Sequence, residues 1–337
     1  MKRTVIPIAA ALLWIAPAPA QTKKIVLADE FARYADDLKS ASPAVTLVTA
    51  ADRQEALAKI VDADAYFGAA APELVRAAKK LQWVQVHSAG VENYTFPEML
   101  NSNITLTNCK IIQGPNIADH AMALLLSMTR GLIYAIPQRA GEEWLRGKFN
   151  YGQVELTGKT ALVIGLGGIG TQIAQRARAF GMRVVAVDPK DIPITSTVEK
   201  IVTPDRLREL LPEADVVFMS APHTPQTEGM MGAAEFGMMK KGSYFVAVSR
   251  GKTYDSNALV KALDEKRLAG AGLDVTNPEP LPKGHPLWKF ENVVITPHQA
   301  GGSDLVRGRR IALFRENIQR WVAGRPLLNV VDKQKGY

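Results

Sequence analysis

Residues 159–190 read KTALVIGLGGIGTQIAQRARAFGMRVVAVDPK. Thr160–Ile164 is a short, largely apolar run, which predicts a buried strand. Gly165, Gly167 and Gly170 follow it directly as G-x-G-x-x-G. Ile173, Ala174, Ala177 and Phe180 then recur at helical spacing, Gly181 ends the helix, and 184–187 form a second strand closing on Asp188. The glycines have separate physical duties: a tight turn, a close backbone approach to a pyrophosphate, and tight packing of helix on strand. The helix N-terminus offers unpaired N–H groups and a favourable dipole to phosphates. With 17 residues between Gly170 and Asp188, the carboxylate falls where it can accept from the adenosine ribose hydroxyls and repel a 2′-phosphate. The expected cofactor is therefore NAD rather than NADP, although Lys190 tempers the exclusion.

Outward from this unit the alternation continues. Strand-like runs occur at 214–219, 243–248, 271–275 and 292–295, with helical segments such as 257–266 between them. That pattern predicts an α/β fold with a doubly wound parallel sheet. Ligands of such sheets bind beyond the carboxyl ends of the strands. Arg250, Glu279 and His298 each follow a strand on that edge. A guanidinium can grip a carboxylate at two points. An imidazole can give a proton to a carbonyl oxygen as hydride reaches the carbon. A carboxylate beside the imidazole fixes its tautomer and stabilises its protonated form. The trio suits hydride exchange between a 2-keto acid and a 2-hydroxy acid.

Several ordered motifs carry a resemblance: VAVSRG at 246–251, GLDVTNPEPLP at 272–282, NVVITPHQAG at 292–301, PHTPQT at 222–227 and GRPLLNVVD at 324–332. Over about 81–332 the chain resembles the D-isomer-specific 2-hydroxyacid dehydrogenase family, in its glyoxylate/hydroxypyruvate reductase-like form. The resemblance implies D stereochemistry, with His298 as acid/base, Glu279 as its partner and Arg250 as the substrate-binding cation. It also implies that Gly168, Ile169, Pro222, Thr227 and Ser249 line the cofactor site and that Asp274 meets the nicotinamide amide. Ala89, Gly90 and Val91, in the loop HSAGVE at 87–92, would receive the substrate carboxylate on their N–H groups. Ala247, Asp119 and His223 depart from the family's common residues and put the choice of substrate in doubt, not the chemistry.

The resemblance further implies a Rossmann domain at 116–298 and a smaller, discontinuous, flavodoxin-like α/β substrate domain built from 21–115 and 299–337. The site would lie in the cleft between them, with hinge closure excluding water. A helix over 116–128 and an arm to Trp144 would make a homodimer. An NAD-sensing or partner-binding protein without catalysis is the competing reading; an intact Arg250, Glu279 and His298 set argues against it.

The 337 residues, 47% of them hydrophobic, suffice for two domains. Residues 1–20 have a positive start at Lys2 and Arg3, an apolar run over 5–16 and small residues at Ala18 and Ala20. This is the layout of a cleaved secretory signal peptide, too short to anchor in a bilayer, and it points to a periplasmic or secreted protein, the alternative being cytoplasmic. Removal of Lys2 and Arg3 lowers the charge from +8 to +6 (39 basic, 33 acidic), enough to draw a small anion into a cleft. Nothing clusters as nucleic-acid recognition requires; Arg307, Arg309, Arg310, Arg315 and Arg320 read as a solvated helix face. The single cysteine, Cys109, reads as a small buried residue, and no metal site is expected. His120 reads as a packed or interface residue, His285 as a loop residue. His87 and His223 have weaker claims on substrate and cofactor.

Overall fold

The computed structural model describes residues 22–144 and 152–337; the leader at 1–20 lies outside the described residues. Two parallel sheets carry the fold. The first contains β1 (Lys23–Ala28), β2 (Val45–Ala50), β3 (Ala65–Phe67), β4 (Trp83–Gln85) and β5 (Thr105–Thr107) in the order β2-β1-β3-β4-β5. The second contains β6 (Thr160–Ile164), β7 (Arg183–Val187), β8 (Lys200–Val202), β9 (Val216–Met219), β10 (Ser243–Ala247), β11 (Leu268–Leu273) and β12 (Val293–Ile295). Its order is β12-β11-β10-β9-β6-β7-β8. The first is the flavodoxin-like order and the second the Rossmann order extended by one strand.

Parallel sheets are covered on both faces, so their strands must be apolar throughout. Every residue of β6 is buried. Successive side chains point to opposite faces. Leu162 and Ile164 enter one core layer with Val185, Val217 and Phe245, while Ala161 and Val163 enter the other with Val184, Phe218 and Val246. Helix α1 (Gly114–Thr129) packs into that second layer through Ala118, Ala121, Leu124 and Leu125, beside helix α2 (Gly168–Ala179).

The helix expected to bury Phe180 ends one residue earlier. Ile173, Ala174 and Ala177 are buried, but Phe180 follows the last turn and is 42% exposed. Gly181 has φ +75°, which turns the chain away before a further helical position can form.

The C-terminal segment returns to the first sheet. Helix α3 (Val306–Val322) places Phe314 and Ile318 among Ile25, Leu27, Phe31, Phe67 and Trp83. The tail then runs beside β5: Val331 N donates to Leu106 O at 2.9 Å, and Lys333 Nζ donates to the carbonyls of Met99, Ser102 and Ile104 at 2.7–3.1 Å. This docking corrects the expectation of a solvated arginine face on α3. Arg307 pairs with Asp37 at 2.6 Å, Arg315 donates to Asp37 O and Ser40 Oγ at 3.0 Å, and Arg310 is only 8% exposed. The spacing of the arginines predicted one face; the packing of α3 on the first sheet turns part of that face inward. No helix of the described residues is long and apolar enough to cross a membrane.

Candidate active site

The carboxyl edges of the two sheets face a common cleft of about 1050 Å³. The second sheet supplies Gly167, Gly168 and Ile169 after β6, Pro222 and His223 after β9, Ser249 and Arg250 after β10, Asp274 after β11 and His298 after β12. The first supplies Ala89, Gly90 and Glu92 after β4 and Cys109 after β5. The residues expected at the site from the sequence divide between this lining and a layer behind it. Val91, Gly165, Gly170, Asp188, Thr227 and Glu279 are not part of the cleft lining.

The residues behind the wall hold the turn in shape. Gly165 has φ +87°, and a Cβ on Gly170 would sit 1.9 Å from Gly165 O, so neither position tolerates a side chain. Asp188, 8% exposed, accepts from Leu166 N at 2.8 Å and Lys190 N at 2.9 Å, so its carboxylate braces the glycine turn from below. Thr227 Oγ1 donates to Pro222 O at 2.6 Å and fixes the loop after β9. The surface facing the cleft is free to receive a dinucleotide. A Cβ on Gly167 would meet nothing within 4 Å, and the Ser249 hydroxyl is buried without a hydrogen-bond partner. An orphaned buried donor of this kind fits a bound ligand.

His298 Nδ1 lies 2.6 Å from Glu279 Oε1. A carboxylate only accepts, so Nδ1 carries the proton and Nε2 is left for a reacting group. His298 sits at φ +50°, a conformation uncommon for a residue with a side chain; its N–H donates to Asp274 O at 2.9 Å. Asp274 is almost wholly buried. It accepts from Thr296 Oγ1 at 2.6 Å and from the N–H groups of Gln299 and Ala300 at 3.0 Å. Thr296 spends its only proton on Asp274, so it accepts from His120 Nε2 at 2.9 Å. His120 is thus more than a packed residue: it ends a chain that stiffens the loop bearing His298.

Arg250 has a partner absent from the sequence reading. Its Nε donates to Glu92 Oε1 at 2.6 Å, and its Nη1 donates to Ser249 O at 2.8 Å. Burial pushes the Glu92 carboxyl up, but the Arg250 charge and hydrogen bond outweigh that and hold it below the usual glutamate range. A Cβ on Gly90 would stand 2.0 Å from Arg250 Nη2, so a side chain there would have to displace the guanidinium tip where the two walls meet. The carbonyls of the loop are already engaged: Gly90 O accepts from Ser88 Oγ at 2.5 Å, and Ala89 O accepts from Asn108 Nδ2 at 2.6 Å. His87 Nδ1 lies 2.7 Å from Glu30 Oε1, His223 Nε2 lies 3.3 Å from Glu228 Oε2, and His285 accepts from Leu287 N at 3.3 Å. Cys109 is buried.

The family described as D-isomer specific 2-hydroxyacid dehydrogenase, NAD binding domain, matches residues 122–300. The chain is 34% identical over 267 residues to a glyoxylate reductase of Korarchaeum cryptofilum, covering 78% of this chain and 79% of that one. It is 32% identical over 316 residues to a D-3-phosphoglycerate dehydrogenase of Methanocaldococcus jannaschii, covering 92% of this chain; the chain spans only 59% of that relative's length. Among solved structures it is similar to a "Probable 2-hydroxyacid dehydrogenase" from Rhizobium etli CFN 42, in complex with NADP, HEPES and L(+)-tartaric acid. That likeness has a TM-score of 0.79 at 25% identity, over 94% of this chain and 99% of that one. The glycine turn, the Arg250 and His298 edge and these likenesses converge: the chain belongs to the D-isomer-specific 2-hydroxyacid dehydrogenase family and is an oxidoreductase acting on a CH–OH group.

Proposed function

We propose that this chain interconverts a 2-keto acid and its D-2-hydroxy acid with NAD, using His298 as acid/base, Glu279 as its partner and Arg250 as the substrate clamp. The observation that carries the proposal is the 2.6 Å contact of His298 Nδ1 with Glu279, on the same cleft edge as Arg250. When bound, the dinucleotide supplies the hydride or accepts it. Gly167, Gly168 and Ile169 would hold its pyrophosphate at the N-terminus of α2, and Pro222, Ser249 and Asp274 would border the remainder. Asp188 would face the ribose with whatever lone pairs its two backbone contacts leave. The N–H groups of Ala89 and Gly90, which line the cleft, would receive the substrate carboxylate, with Val91 packed behind them and Arg250 bridging carboxylate and carbonyl. His298 Nε2 would deliver a proton to the carbonyl oxygen during reduction and remove it during oxidation, while Glu279 balances the imidazolium.

Support for the acid comes from relatives named glyoxylate reductase. Support for NAD comes from the carboxylate at Asp188; the NADP in the Rhizobium structure makes the choice a measurement. Oxidation of NADH and of NADPH should be followed with glyoxylate, hydroxypyruvate, pyruvate and phenylpyruvate. We expect turnover with NADH favoured, and Arg250→Ala and His298→Ala should each lower kcat/KM by about 10²–10⁴-fold. Unchanged rates in either variant would refute the assignment.

Two further parts of the proposal concern assembly and address. Dimerisation would use α1 and the stretch after it, where Ile136 and Trp144 are exposed; sedimentation should report a species of twice the chain mass. Export would follow from the leader, and N-terminal sequencing of the protein from fractionated cells should begin at Gln21.

A further inference from the structure

Arg310 has no part in the chemistry above. It lies on α3 one turn before Phe314 and is 8% exposed, yet its Nε has no hydrogen-bond partner. A guanidinium keeps its proton in a protein, so this is a buried positive charge. Such a charge normally has a counter-ion. Arg310 lines the cleft together with Arg33, His87 and Arg307.

The neighbouring charges are already matched. Glu30 sits 3.6 Å from Arg33 Nη2 and 2.7 Å from His87 Nδ1, and Asp37 sits 2.6 Å from Arg307 Nη2. Three guanidiniums thus stand against two carboxylates, and among the described residues Arg310 forms no ion pair. A second buried atom shares its situation: His87 Nε2 also lacks a partner. The two side chains belong to one neighbourhood. The Phe31 ring is 6.1 Å from the His87 ring and 5.1 Å from Phe314, and Cys109, which lines the same cleft as Arg310, donates its N–H to Ser88 O at 2.9 Å. That places the pair beside the loop proposed to receive the 2-carboxylate.

We infer that Arg310 and His87 form a second anion subsite on the first-sheet wall, and that the substrate is a 2-keto acid carrying another anionic group, a carboxylate or a phosphate ester, at its far end. Arg310 supplies planar donors to that group. An imidazolium at His87 donates at both nitrogens, one to Glu30 and the other to the anion. The inference rests on the dehydrogenase reading, in which Arg250 engages the 2-carboxylate.

The test is a comparison of kcat/KM for oxaloacetate, 2-oxoglutarate and phosphohydroxypyruvate with that for pyruvate and 2-oxobutyrate, in wild type, Arg310→Met and Arg310→Lys. The first two acids probe a carboxylate, the third a phosphate. Wild type should favour at least one dianionic acid by tenfold or more. Arg310→Met should erase that preference while leaving pyruvate turnover within about threefold, which also shows that the variant folds; Arg310→Lys should restore part of it. Equal or better turnover of pyruvate and 2-oxobutyrate by wild type would overturn the subsite and leave the dehydrogenase reading standing. So would an Arg310→Met loss shared equally by all acids. No turnover with any acid would overturn both.

Discussion

Glu92 and Cys109 show how burial and a partner decide what a side chain does. The two residues of the Glu92–Arg250 pair are 158 positions apart and come from different sheets. No local pattern announces such a pair, which explains why Arg250 was legible from its place after β10 and Glu92 was not. Because the folded carboxyl titrates below its usual value of 4.5, Glu92 stabilises the folded chain above that pH and stops doing so as the pH falls through the lowered value. Urea unfolding of wild type and Glu92→Gln should therefore differ at pH 7, with the difference shrinking as the pH falls through the lowered value; a difference independent of pH would contradict the pairing. Burial pushes the Cys109 thiol up to about 12. Native protein at pH 8 should resist iodoacetamide and react once unfolded. Rapid alkylation of the native chain would contradict a buried thiol.

Among the elements, the strand–glycine–helix unit was the most legible because its requirements are local. A turn at Gly165 and the contact of Gly170 with Gly165 O allow no other residue, so the sequence had to spell them out. The strands β3 and β4 are three residues each, too short for an alternating pattern to stand out, and β8 is the same. Their places are set by neighbours across the sheet, such as Leu27 beside Phe67 and Phe67 beside Gln85. The inward turn of Arg310 was hidden for a similar reason: its environment is made by the first sheet and its loops, from Ile25 to Cys109, far away in sequence. Gly170→Ala should force the helix away from the turn, lowering stability by about 1–3 kcal/mol and weakening NADH binding. Denaturant unfolding with an NADH titration would check both, and a variant with unchanged midpoint and affinity would show that the turn is looser than the structure indicates.

At the scale of the whole molecule, function is a property of the seam. Neither sheet carries the site alone: the second brings Arg250, His298 and the glycine turn, the first brings the loop at 87–92 and the face of α3. In the proposed reaction, hydride passes between a dinucleotide held by one wall and an acid held between both. The most direct measurement is the fate of the label when a 2-keto acid is reduced with NADH deuterated at C4 on both faces. The expected product is a D-2-hydroxy acid with one deuterium at C2. An L product, or a D product without deuterium at C2, would contradict it.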